Sequence, residues 1–240
     1  MFEDFPKKRA ELPEDFKKIY ASHYKKNRGG KTLATSLSQK MESWLHKKVA
    51  ADCKDGKLRS TLEIGAGTLN QLHYENNAPY DIIEPFRTLF ENSPELKKVR
   101  HVYNDIDDVD ANNRYDRITS IATFEHIEDL PKVVAKSCLL LKEGGTLRVS
   151  IPNEGTFLWT LSWKMTTGLE YRLKYGLDYG ILMKYEHVNT ADQIEEVLKY
   201  FYSSVKCSVF GLSKGFAFYR FYECSDPKLD AAKGYLATLK

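Results

Sequence analysis

The stretch "TLEIGAGTLNQL", Thr61 to Leu72, sets an acidic residue and two glycines where an apolar run turns into a helix-like segment. Gly65 and Gly67 can take backbone angles closed to other residues and carry no side chain, so a flat or charged ligand can lie against the main chain there. A dinucleotide fingerprint would put a third glycine where Asn70 stands, to let helix and strand pack closely. The two glycines therefore carry no dinucleotide assignment.

Working outward, short apolar runs alternate with helix-like segments from Leu62 onward, the pattern of an α/β fold with a parallel sheet. The strand candidates are "STLEIG", "YDIIEP", "VRHVYND", "YDRITSIAT" and "GTLRVSIP". Between them "PFRTLFENSPEL" and "DLPKVVAKSCLLLKEGG" have helical periodicity, and the second ends in glycines suited to a left-handed cap. The chain closes with "SSVKCSVFG" and "GFAFYRFYECS" joined by "LSK", which reads as a β-hairpin. Residues 1–58 read as a helical cover containing "LPEDFKKIYASHYKKN" and "SLSQKMESWLHKKVAADC", and residues 59–240 as the main domain. Within that domain the aromatic segment 155–186 reads as a lid-like insertion over the strand ends.

Three carboxylates sharpen the ligand question. Glu63 precedes the first glycine, Glu84 ends the second strand candidate and Asp105 follows the third, so successive strand tips each present an acid. The first would repel a pyrophosphate. A cationic ligand carrying a ribose and an adenine would use all three.

With "LEIGAGTLNQL", "DIIEP", "NDIDD", "YDRITSIATFEHIED" and "LLLKEGGTLRVSIPNEG" in this order, the sequence resembles the class I S-adenosylmethionine-dependent methyltransferases over roughly Leu58 to Gly155. A weaker echo lies in "KYEHVNTADQIEEVLKYF". The resemblance implies a Rossmann-like, seven-stranded, mostly parallel sheet with a C-terminal antiparallel hairpin and helices on both faces. It implies S-adenosyl-L-methionine as cofactor. Glu63, Gly65, Ala66 and Gly67 would line its methionine end, Glu84 its ribose, and Asp105 and Ile106 its adenine, with Thr123 and Phe124 following strand four beside it. It also implies a small-molecule methyl acceptor, in the style of bacterial enzymes that modify sugars or surface polysaccharide precursors.

Methyl transfer from a sulfonium asks the protein mainly to align the acceptor with the methyl carbon, and no metal is obligatory. A hydroxyl acceptor gains from a positioned base. His126 in "TFEHIED" and His187 in "KYEHVN" are the candidates, His126 alternatively holding a turn through a backbone hydrogen bond. Glu125 orients His126, holds the cofactor-side loop, or caps the next helix. Tyr20, Tyr24 and Arg28 share one helix face; Tyr24 and Arg28 either close over the methionine carboxylate or belong to an amphipathic packing face. Trp159, Trp163, Tyr171, Tyr175, Tyr179 and Tyr185 are candidates for acceptor recognition, for plain packing, or for contact with a membrane interface.

Composition narrows the classes further. A 240-residue chain with 36 basic and 33 acidic residues has a mixed surface of net charge +3, unlike the clustered basic footprint of a nucleic-acid binder. Its four cysteines stand apart, without metal-ligand spacing, and read as reduced thiols in a cytoplasmic protein. No run is apolar for long enough to span a bilayer. An exposed terminal strand leaves edge-to-edge homodimer pairing open.

Overall fold

The computed structural model describes residues 2–19, 36–76 and 78–239. Seven strands form one sheet in the order β3-β2-β1-β4-β5-β7-β6: β1 Thr61–Ile64, β2 Tyr80–Ile83, β3 Val99–Tyr103, β4 Tyr115–Ile121, β5 Leu141–Pro152, β6 Tyr202–Ser213 and β7 Phe216–Pro227. The first five pair in parallel and β7 runs antiparallel to both neighbours. This is the sheet expected from the sequence. The β6–β7 turn falls at Lys214 and Gly215, so both hairpin strands run longer than the apolar pattern indicated.

Alternation along β4 and β5 separates the two faces of the sheet. Ile118, Leu147, Val149 and Ile151 point into a core shared with three helices: Leu130–Leu140, Ala191–Phe201 and Leu229–Thr238. Each fully buried aliphatic side chain there contributes about 1.5–3 kcal/mol. Ala191–Phe201 forms because Ile194, Val197, Leu198 and Phe201 recur at helical spacing behind a Thr190–Gln193 capping box. The last helix, Leu229–Thr238, is an addition to the sequence reading.

On the opposite face lies the helix Ser36–Val49, continued by a 3₁₀ segment, Ala50–Asp55. Two buried strand arginines hold it there. Arg117 Nη2 and Arg148 Nε both donate to the Val49 carbonyl, at 3.0 and 2.7 Å, and Ser150 Oγ donates to Leu45 O. Cationic side chains at a helix C-terminus satisfy its last carbonyls and oppose its dipole.

The helices expected after β1 and β2 are replaced by 3₁₀ turns: Asn70–His73, Arg87–Leu89 and Pro94–Lys98. Leu69, at φ +67°, interrupts the first before an α-helix can propagate, and Pro94 holds Ser93 extended in the second.

Residues 2–13 run as an extended strap and lead into a helical turn at residues 14–19. Leu12 and Phe16 pack against Tyr171, Tyr179, Leu182 and Met183 of the segment that follows β5. That segment comprises the helix Phe157–Trp163, a π-helical turn Lys164–Gly168, and the helices Leu169–Tyr175 and Tyr179–Glu186. No described helix is long and apolar enough to cross a membrane.

Arg117 is almost wholly buried, with its charge met by Glu75 and Asp52. Replacing one member of a buried ion network leaves the others uncompensated, at a cost of about 3–5 kcal/mol. Arg117→Leu is therefore expected to lower the urea midpoint by that stability loss, measured by circular dichroism at pH 7.

Candidate active site

The chain leaves β1 toward β2 on one side, and β4 lies on the other. Strand order thus reverses between β1 and β4, and the crevice beyond their C-terminal ends is where an open α/β sheet takes its ligand. A cleft of about 960 Å³ opens there.

Its floor is the turn 65–69. Gly65, Gly67 and Leu69 all take left-handed backbone angles, at φ +74°, +52° and +67°. At Gly65 the absence of a side chain is required by space as well as angle, since a Cβ would stand 2.3 Å from Thr123 Cγ2. Thr123 Oγ1 in turn donates to the Gly65 and Ile121 carbonyls. Gly67 N donates to Glu84 Oε2 at 2.8 Å and Phe86 N to Glu84 Oε1 at 3.0 Å, so backbone donors fix both oxygens of this carboxylate at the tip of β2. Each oxygen keeps a lone pair, which suits it to accept hydroxyl donors.

Glu63 sits deeper and is almost fully buried. Tyr80 donates to its Oε2 at 2.9 Å, yet burial dominates and pushes its pKa up to about 8. Asp105 is exposed at the tip of β3. It caps the 3₁₀ turn Ile106–Asp108 by accepting from Asp107 N, and Ile106 supplies an apolar wall beside it.

Of the residues expected at the site, Glu63, Gly65, Ala66, Gly67, Glu84, Asp105, Ile106, Thr123 and His126 line this one cleft. Phe124 does not. Its ring is fully buried in the core with Leu130 and Val134, because the 3₁₀ turn Phe124–His126 directs it inward. His187 is set behind the lining, with its ring centroid 4.8 Å from that of His126. Tyr24 and Arg28 lie outside the described residues.

The wall around His126 is a loop pinned by another loop. Val188 N donates to Glu125 O at 2.8 Å, and Asn189 Nδ2 donates to the carbonyls of Phe124 and Ile127, which brings the two histidines together. His126 Nδ1 meets Glu186 O at 2.9 Å. His187 Nδ1 meets Glu154 Oε2 at 2.6 Å. Burial opposes charge on His187, but the Glu154 bond and the nearby Glu125 carry its pKa above the usual histidine value.

Three contributors were absent from the sequence reading. Arg9, on the strap, donates to the carbonyls of His126, Tyr185 and Glu186 and pairs with Glu128. His46, on the helix Ser36–Val49, meets Gln71 Oε1 at 2.8 Å at the edge of the cleft. Glu154 joins His187 to the Trp159 Nε1–H, which it accepts at 2.7 Å. None of the three has a local sequence signal, since each takes its place through at least one partner remote in the chain.

Residues 33–199 match the family model described as a methyltransferase domain, and the chain belongs to that family. No curated protein sequence matches it. Among solved structures, it is similar in fold to an S-adenosylmethionine-dependent methyltransferase from Thermotoga maritima, described as a possible histamine N-methyltransferase. The identity is 12%, the TM-score 0.54, and the match covers 89% of this chain and 99% of that one. It is also similar to magnesium protoporphyrin IX methyltransferase from Synechocystis with bound S-adenosylhomocysteine (SAH), at 13% identity, TM-score 0.56 and 88% and 97% coverage. A third is a plantazolicin methyltransferase in complex with a pentazolic desmethylplantazolicin analogue and SAH, at 14% identity, TM-score 0.57 and 89% and 91% coverage. The protein is a methyltransferase-family chain with the fold of the class I enzymes. The backbone-held Glu84 carboxylate and the side-chain-free approach at Gly65 fit a ribose and an extended thioether chain.

The raised pKa of Glu63 has a stability consequence. Below pH 4.5 the group is protonated whether the chain is folded or unfolded. Between 4.5 and about 8 only the unfolded chain has ionised, so this group's contribution to stability falls as pH rises through that window and is flat above it. Glu63→Gln removes that fall. The variant is expected to gain stability relative to wild type between pH 5 and pH 8.5, as read from urea unfolding at the two values.

Proposed function

We propose that this protein methylates a hydroxyl of a small polar acceptor, of the sugar or surface-polysaccharide-precursor type. The observation that carries this reading is the His126–His187 pair, joined edge to face, with His126 lining the cleft that Gly65 and Glu84 floor and His187 behind it. The cofactor supplies an electrophilic methyl group on a sulfonium. Glu84 would hold the ribose hydroxyls, Asp105 and Ile106 the adenine edge, and Glu63 with the Gly65–Gly67 turn the methionine end. His126 or His187 would take up the acceptor's proton as its oxygen is methylated, and the bond to Glu154 supports the imidazolium form of His187. A general base contributes about 10²–10⁴-fold in rate. In a screen of hydroxylated acceptors, His126→Ala and His187→Ala are expected to lower kcat within that range while leaving SAH titration by calorimetry unchanged. Glu84→Ala should weaken SAH by about 10- to 100-fold, the scale of one charge-assisted hydrogen bond. Undiminished turnover in both histidine variants would sink the base assignment.

A second reading has its own observation. Phe157, Leu161, Met165, Leu169 and Leu173 recur every fourth residue along the segment after β5, and all five are exposed, while Trp159, Trp163 and Tyr171 of the same segment pack inward. Lys164, Arg172 and Lys174 lie among them. An apolar stripe interspersed with basic residues suits the surface of an anionic bilayer, and hence a lipid-like acceptor. On this reading the protein floats with phosphatidylglycerol vesicles, and the double variant Phe157→Ser, Leu173→Ser stays at the bottom of the gradient. Wild type remaining at the bottom would return the acceptor to the aqueous phase.

A further inference from the structure

Three side chains on the acceptor-side wall form a constellation that proton transfer alone does not require. Glu125, His126 and His187 each offer one ligand atom, and these atoms all lie within 4.8 Å of one another. His126 Nε2 stands 3.7 Å from Glu125 Oε1. Each imidazole is oriented through its other nitrogen, His126 Nδ1 by the Glu186 carbonyl and His187 Nδ1 by the Glu154 carboxylate. An acceptor at Nδ1 keeps the proton on that nitrogen, so in the neutral ring Nε2 carries the lone pair. A carbonyl behind one imidazole and a carboxylate behind the other is how proteins orient metal-binding histidines and raise their basicity.

We propose that Glu125, His126 and His187 form a site for a divalent transition-metal ion. Two imidazole nitrogens and one carboxylate oxygen suit zinc, iron(II) or manganese and leave coordination positions open. Ligands about 2.1 Å from a tetrahedral ion stand about 3.4 Å apart, so the three groups would close by up to about 1.4 Å around it. The supporting frame is already built. Val188 N and Asn189 N hold the Glu125 carbonyl, and Glu154 is fixed between His187 and Trp159. Two cations reach this wall among the described residues, and both are already engaged: Arg9 directs its guanidinium to the carbonyls of His126, Tyr185 and Glu186 and to Glu128, and Lys7 bonds the Val188 carbonyl and Gln193. Because His126 lines the cleft, an oxygen of the acceptor would take one of the ion's open positions, where the ion acidifies its hydroxyl; with both histidines engaged as ligands the proton leaves to solvent, and ligation replaces the base role given to them above. The choice of an oxygen acceptor rests on the function proposed above. The metal site itself does not.

The test is titration of the metal-stripped full-length protein with Co²⁺ and Zn²⁺, followed by calorimetry and by the visible absorption of cobalt, with SAH titrated into the same samples. One equivalent is expected to bind, with cobalt bands characteristic of nitrogen ligation. Glu125→Gln and His187→Ala should lose binding by more than tenfold. Glu154→Gln, which leaves all three ligands in place, should weaken it by about 10- to 100-fold, the scale of an outer-shell change. SAH binding should persist in every variant, which also shows that each has folded. Absence of saturable metal binding in a protein that binds SAH would overturn the metal site and leave the methyltransferase reading intact. Saturable binding unaffected by Glu125→Gln and His187→Ala would place the ion elsewhere and overturn it equally. Metal bound as expected, with no turnover of any hydroxylated acceptor, would leave the site standing and remove the acceptor assignment.

Discussion

The contact between Gly65 and Thr123 is the constraint on which the site depends. Because β1 and β4 are neighbours whose chains depart in opposite directions, their C-terminal ends must separate to make a crevice. Here they do so while remaining in contact, with the Gly65 carbonyl accepting from the Thr123 hydroxyl. That contact sets the depth of the floor. A larger residue at 65 would force the strand ends apart and move Glu84, whose carboxylate is held from the same turn by Gly67.

A second dependence runs through charge. Arg117 and Arg148 sit on neighbouring central strands, on the face opposite the main apolar core, and both reach the last turn of Ser36–Val49. Their charges are met by Glu75, Asp52 and Glu223. The polar layer does for this face what a second set of amphipathic helices would otherwise do. Under the β1–β2 and β2–β3 connections the cover is apolar instead, with Leu69, Leu72 and Phe90 of those connections packed on Tyr80 and Ile82 of β2.

The sheet was legible because each central strand is an apolar run ending in a polar or small residue, and because Glu63, Glu84 and Asp105 fall at three successive strand tips. The glycine turn was legible for the same reason. What was not legible depends on partners remote in sequence. Phe124 sits next to Thr123, yet a single 3₁₀ turn sends one side chain into the core and leaves the other at the cleft. Arg9 carries no motif and acquires its place only when the strap crosses to Tyr185 and Glu186. Periodicity also overstated the helices around Asn70 and Pro94, where a left-handed leucine and a proline-restrained serine outweigh apolar spacing.

The strap has a further consequence for how the molecule is made. Lys7 bonds to Val188 and Gln193, and Phe2 packs among Tyr200, Phe201 and Tyr235. During synthesis Phe2 and Lys7 must therefore wait for residues 188–235 to emerge before they find these partners. Closing so long a loop is entropically slow, and chains of this length commonly pass through partly assembled states. The floor of the cleft draws on residues 63–123 and can organise earlier. The wall that carries His126 and His187, finished by Arg9, is then among the last parts of the nascent protein to take shape.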